Sequence, residues 1–76
     1  MYLNGNNLTS FNPTTGIPSG LQYLGLANNN ISMSSWNTNT AWINSAPNNA
    51  EIFADNSILG TTTFSLLTSK GWTITI

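Results

Sequence analysis

The chain has 76 residues and a mass of 8.2 kDa, carries charge only at Glu51, Asp55 and Lys70, and contains neither cysteine nor histidine. Disulfides, zinc–thiolate centres and histidine-based catalysis or metal ligation are thereby excluded, and a single lysine cannot neutralise a phosphate backbone, which excludes nucleic acid as a partner. No run reaches the ~20 apolar residues of a membrane-spanning helix, so no membrane insertion is expected, and the N-terminus has neither the basic start nor the apolar core of a signal peptide.

Taken in chain order, Met1-Tyr2-Leu3-Asn4-Gly5-Asn6-Asn7-Leu8 reads as a short strand running into a turn. The segment Thr9 to Gly20 holds Pro13, Gly16 and Pro18 and is irregular, with Phe11 and Ile17 as its core contacts. A second strand lies within Leu21 to Ile31, where Leu24 and Leu26 alternate onto one inward face. In the return from Ser32 to Asn49, the stretch Ser35 to Ile43 predicts about two helical turns starting near Trp36 or Asn37 and stopped by Pro47. Trp42 and Ile43 then pack inward, and the tryptophans read as core, with an aromatic binding box as the alternative. A third strand carries Glu51 and Phe53, with Asp55 on or beside it, and the return from Leu59 to Gly71 predicts a helix over Thr61 to Lys70. Thr61, Thr62 or Thr63 caps it, Phe64 and Leu67 share a face, and Gly71 stops it. The final Gly71-Trp72-Thr73-Ile74-Thr75-Ile76 is a β-forming run.

These segments repeat. Leu21-Gln22-Tyr23-Leu24-Gly25-Leu26-Ala27-Asn28-Asn29-Asn30-Ile31 follows the pattern L-x-x-L-x-L-x-x-N-x-[LI]. Leu3, Asn6 and Leu8 stand 23 residues before Leu26, Asn29 and Ile31; Phe53, Asn56 and Ile58 stand 27 residues after them. Glu51 and Phe53 recur 23 residues later as Ile74 and Ile76. Glu51 departs from the pattern, because a charge stands where an inward aliphatic belongs. Either it is tolerated at an edge, or a one-residue bulge lets Ile52 take the place.

On these motifs the chain resembles the leucine-rich-repeat family over essentially its whole length. The resemblance implies an α/β solenoid: an arc with a curved parallel sheet of about four short strands and helical or irregular returns. It forms a single domain over 1–76, with a partial repeat 1–20, a repeat 21–47, a degenerate repeat 48–70 and a terminal strand 71–76. The Asn/Thr/Ser-rich composition is similar to that of repeats in bacterial surface proteins and in phage-encoded or marine environmental sequences. Such a surface stays insensitive to salt, which suits an extracellular or virion-surface setting. Asn6, Asn29 and Asn56 are expected to turn inward as a ladder that satisfies backbone groups at the bends, whereas Asn28 and Asn30 read as solvated.

For function, repeat stacks present a wide concave sheet with variable outward side chains. Here that surface comprises Tyr2 and Asn4, then Tyr23, Gly25 and Ala27, then Ile52, Ala54 and Thr73, with Gln22, Asp55 and Thr75 nearby. Its tyrosines and small residues suit adaptable recognition of a protein or a glycan, or else the tyrosines merely cover neighbouring backbone. No cofactor is implied. Catalysis is not expected, because Glu51 and Asp55 are the only carboxylates and no hydroxyl has an activating base; a calcium contact at Asp55 would lack further carboxylates. Asn7-Leu8-Thr9 and Asn30-Ile31-Ser32 match glycosylation acceptors, read as chance in so Asn-rich a chain. Repeat stacks ordinarily carry polar caps, and an open strand edge is a template for pairing. The bare ends therefore suggest a fragment of a longer array, a structural unit of a surface or virion fibre, or a homo-oligomer joined through Met1, Tyr2 and Leu3.

Overall fold

The computed structural model describes residues 1–76, and its sheet is built from three-residue strands: β1 (Tyr23–Gly25), β2 (Glu51–Phe53) and β3 (Thr73–Thr75), in the order β1-β2-β3 and parallel throughout. The N-terminal segment extends this sheet past β1. Tyr2 bridges Gly25 in parallel, and backbone hydrogen bonds run from Gly25 N to Met1 O, from Leu3 N to Gly25 O and from Gly5 N to Ala27 O. Parallel pairs need long crossovers. The one between β1 and β2 carries α1 (Met33–Thr38) and a 3₁₀ helix (Ala41–Ser45); the one between β2 and β3 carries a 3₁₀ turn (Asn56–Ile58) and α2 (Thr62–Ser69). The result is an α/β fold with a three-stranded parallel sheet and two helices. Its dimensions are 25 × 23 × 22 Å.

The register corrects the sequence alignment by one residue. Leu24 pairs with Ile52 and Ile52 with Ile74, while Gly25 pairs with Phe53 and Phe53 with Thr75. Ile52, not Glu51, continues the inward row, and Ala54 rather than Phe53 follows it; both are fully buried. Strand alternation explains the choice. Ala50, Ile52 and Ala54 are the apolar set of this segment, and a slip by one would drive Glu51 and Asp55 into the core. No bulge is used. The odd residue is removed in the following turn, where three residues separate Ala54 from Ile58 but four separate Leu26 from Ile31. The tight 3₁₀ turn Asn56–Ile58 absorbs the difference and seats Ile58 in the core, as Ile31 is seated after β1.

The first return is irregular, as its prolines dictate, with Phe11 and Ile17 buried. The second differs from expectation. A single helix over Ser35 to Ile43 is replaced by α1, which starts earlier because the Ser32 side chain accepts from Ser35 N at 3.1 Å, and by a separate 3₁₀ helix beyond Asn39. Asn39, with φ −100° and ψ 70°, breaks the two apart. α2 occupies the anticipated place: Thr61 accepts from Phe64 N, and Gly71 with φ 79° ends it.

The tryptophans lie in the core, not in a binding box. Trp36, Trp42 and Trp72 are buried within one cluster with Leu24, Ile52 and Leu67. Phe11 meets Trp42 edge-on at 5.1 Å, and Trp42 meets Trp72 at 6.5 Å. Each indole N–H has an acceptor: Ser57 Oγ, Asn39 O and Pro47 O respectively. No helix is long and apolar enough to cross a membrane.

Candidate functional site

The outward face of the sheet gathers the residues left over by the inward row. Across the strands, Tyr2, Gly25, Phe53 and Thr75 stand in one register line, and Tyr23, Glu51 and Thr73 in the next. Gly25 is buried beneath its neighbours. A Cβ there would come within 2.9 Å of the Asn4 side-chain amide and 3.0 Å of Tyr23 Cε1, so the missing side chain lets the Asn4 amide and the Tyr23 ring close over the position. Tyr23 accordingly packs against Tyr2 on one side, with centroids 4.9 Å apart, and against Phe53 on the other at 5.3 Å. Tyr2 is 79 % exposed, while Tyr23 and Phe53 are half-buried. The product is a continuous aromatic ladder across three adjacent segments, open to solvent and bordered by Asn4, Glu51, Thr73 and Thr75.

Of the residues assigned to this surface from sequence, the structure brings together Tyr2, Asn4, Tyr23, Gly25, Ala27, Thr73 and Thr75, with Asp55 in the turn beyond β2. Gln22 is exposed just before β1, where its carbonyl accepts from Glu51 N. Ile52 and Ala54 do not belong: the register turns both into the core. Glu51 and Phe53 take their places on the face. Strict period-two alternation over residues 50 to 55 is the signal that finds them.

Several polar side chains have structural work. Asn29 Oδ1 accepts from Asn6 N at 2.9 Å and Leu8 N at 3.0 Å, while its Nδ2 donates to Leu3 O and Leu26 O, both at 2.9 Å. The Asp55 carboxylate is the acceptor in the turn after β2, taking Asn28 N at 2.9 Å on one oxygen and Asn29 N at 3.0 Å on the other. The ladder of three asparagines is therefore not formed. Asn29 alone bridges the turns from within; Asn6 and Asn56 are exposed, because the shortened turn after β2 turns Asn56 outward and hands its role to Asp55. Asn4 Oδ1 ties the N-terminal segment to β1 by accepting from Ala27 N at 2.9 Å. At the edge, the Met1 amino group donates to Tyr23 O at 2.8 Å, so one side of Met1–Leu3 is engaged with β1 of the same chain.

The only cationic side chain is spent elsewhere. Lys70 Nζ donates to Ile43 O at 2.7 Å and Ala46 O at 2.6 Å, closing the carbonyl end of the 3₁₀ helix. With both Asp55 oxygens holding backbone N–H groups, Glu51 is the one carboxylate free on the face. No three metal-ligating side chains of the His, Cys, Asp or Glu type converge. A shallow cleft of about 450 Å³ lies at the ends of the strands between the Asn28–Ile31 turn and Asp55–Ser57; its polar rim consists largely of the groups that hold the turns. Comparison with protein families, with characterised proteins and with solved structures finds no match.

Proposed function

We propose that this chain is a short leucine-rich-repeat module that recognises a protein or glycan through the outward face of its sheet and carries out no chemistry. The observation that carries the recognition reading is the open Tyr2–Tyr23–Phe53 ladder, packed over Gly25. Rigid aromatic faces supply contact area at low entropic cost. The repeat reading is supported by the parallel strands, by inward residues at corresponding places in each unit (Leu24, Ile52, Ile74), and by side chains that tie each turn to the one before, Asn29 to Asn6 and Asp55 to Asn28. The non-catalytic reading is supported by the commitment of both Asp55 oxygens to backbone N–H groups, which leaves Glu51 as a lone carboxylate on the face.

The test is a binding screen of immobilised surface proteins and neutral glycans, run with the native chain and with Tyr23→Ser. A recognition module yields ligands held by the native chain and released by the variant while the variant remains folded at the temperature of the screen. Ligands indifferent to Tyr23→Ser would assign recognition to another surface. Assembly into a fibre is the second reading, favoured by β3, which is hydrogen-bonded to β2 alone. It requires mass to grow with concentration in light scattering, whereas the recognition reading requires none.

A further inference from the structure

Glu51 is the charged side chain of the sheet's outward face. It stands in register between Tyr23 and Thr73, two residues before Phe53 on the same strand, and is half-buried. No side chain of the protein offers it a cation, since Lys70 is held by two carbonyls of the 3₁₀ helix. No buried side-chain polar atom in the chain lacks a partner, so the Glu51 carboxylate, which takes no hydrogen bond from another residue, is satisfied by solvent. Any macromolecule that covers the Tyr23–Phe53 rings strips that solvent away. Burying an unpaired carboxylate is costly, and a neutral ligand offers it only uncharged donors. A ligand that brings a positive charge converts the same burial into a charge-assisted hydrogen bond.

We infer that the face binds a basic peptide segment, with an arginine laid against the Tyr23 and Phe53 rings and paired to Glu51. This rests on the recognition reading above and narrows its ligand class. Arginine fits better than lysine because its planar guanidinium stacks on an aromatic face while presenting a forked pair of donors to a carboxylate. Thr73 and Thr75, across from Glu51 and Phe53, offer hydroxyls to the peptide backbone. Acidic peptides and anionic glycans meet a like charge and no compensating side chain.

The test is an NMR titration of the full ¹⁵N-labelled chain with a blocked Gly-Arg-Gly-Arg-Gly peptide. Its citrulline counterpart, which keeps the shape and removes the charge, and cellohexaose, a neutral glycan, serve as comparison probes. The arginine peptide is expected to shift the amides of Tyr23, Gly25, Glu51 and Phe53, and the citrulline peptide to leave them in place. Glu51→Gln should weaken the arginine peptide about tenfold, equivalent to ~1.4 kcal/mol, with its own spectrum showing an intact fold. Phe53→Leu, which keeps an apolar residue there, should weaken it while leaving Glu51 in place. Equal affinity of native chain and Glu51→Gln, or equal shifts from the citrulline peptide, would overturn the inference. Cellohexaose shifting these amides while the arginine peptide does not would overturn it and leave the recognition reading standing. Failure of the recognition reading is read separately, from the Tyr23→Ser screen.

Discussion

Asn29 shows how much of this fold hangs on single side chains. Its amide accepts from the backbone of Asn6 and Leu8 and donates to that of Leu3 and Leu26, so one residue closes its own turn and anchors the preceding one. Replacing Asn29 by Ala orphans several of these groups and should cost about 1–3 kcal/mol in urea unfolding. Asn56→Ala removes an exposed side chain and should stay within about 0.5 kcal/mol in the same measurement. Lys70→Met keeps the aliphatic stem but strips the donor from the carbonyls of Ile43 and Ala46, with an expected loss of about 1–3 kcal/mol. Asn29 is legible in the sequence because it stands in the best-conforming copy of the pattern. Asp55 is not, since a carboxylate in a degenerate copy gives no sign that it will cap the previous turn.

At the scale of elements, local chemistry and tertiary packing divide the credit. α2 can be read from its cap, its Phe64–Leu67 face and its glycine stop. The structure adds a link to α1: Asn37 Oδ1 accepts from Thr62 N at 2.9 Å, and Thr63 Oγ1 donates to Trp36 O. Thr61→Ala should therefore cost about 1–2 kcal/mol, at the upper end for a cap, because the Thr61 hydroxyl also donates to Ile58 O at 2.7 Å. α1 is harder to see, for it is six residues long and begins at a serine without a following capping glutamate. β2 is where repeat matching misleads. Aligning Phe53 with Leu26 sacrifices strand alternation, and the energetics favour alternation: burying Ile52 stabilises by about 1.5–3 kcal/mol, and burying Glu51 in its stead would cost. Ile52→Ala should destabilise by about 2–5 kcal/mol, whereas Glu51→Ala should be close to neutral in thermal unfolding.

For the whole molecule, one buried cluster faces the returns and one aromatic ladder faces outward, and the β2 register decides which residues serve each. With Ile52 and Ala54 inside, Glu51 and Phe53 complete the outward surface; with the register slipped by one, that surface would lose both its carboxylate and its third ring. The parallel sheet with its long helix-bearing returns was accessible from the sequence pattern, because parallel strands need such crossovers. The site was only partly accessible, because its composition depends on one residue removed from a turn. The most direct test of the account is a nuclear Overhauser measurement on the side chains of β1 and β2. It should show the Phe53 ring against Tyr23 and the Ile52 methyls against the core tryptophans or Leu67. Ile52 methyls in contact with the Tyr23 ring, and Phe53 in contact with the core, would contradict it.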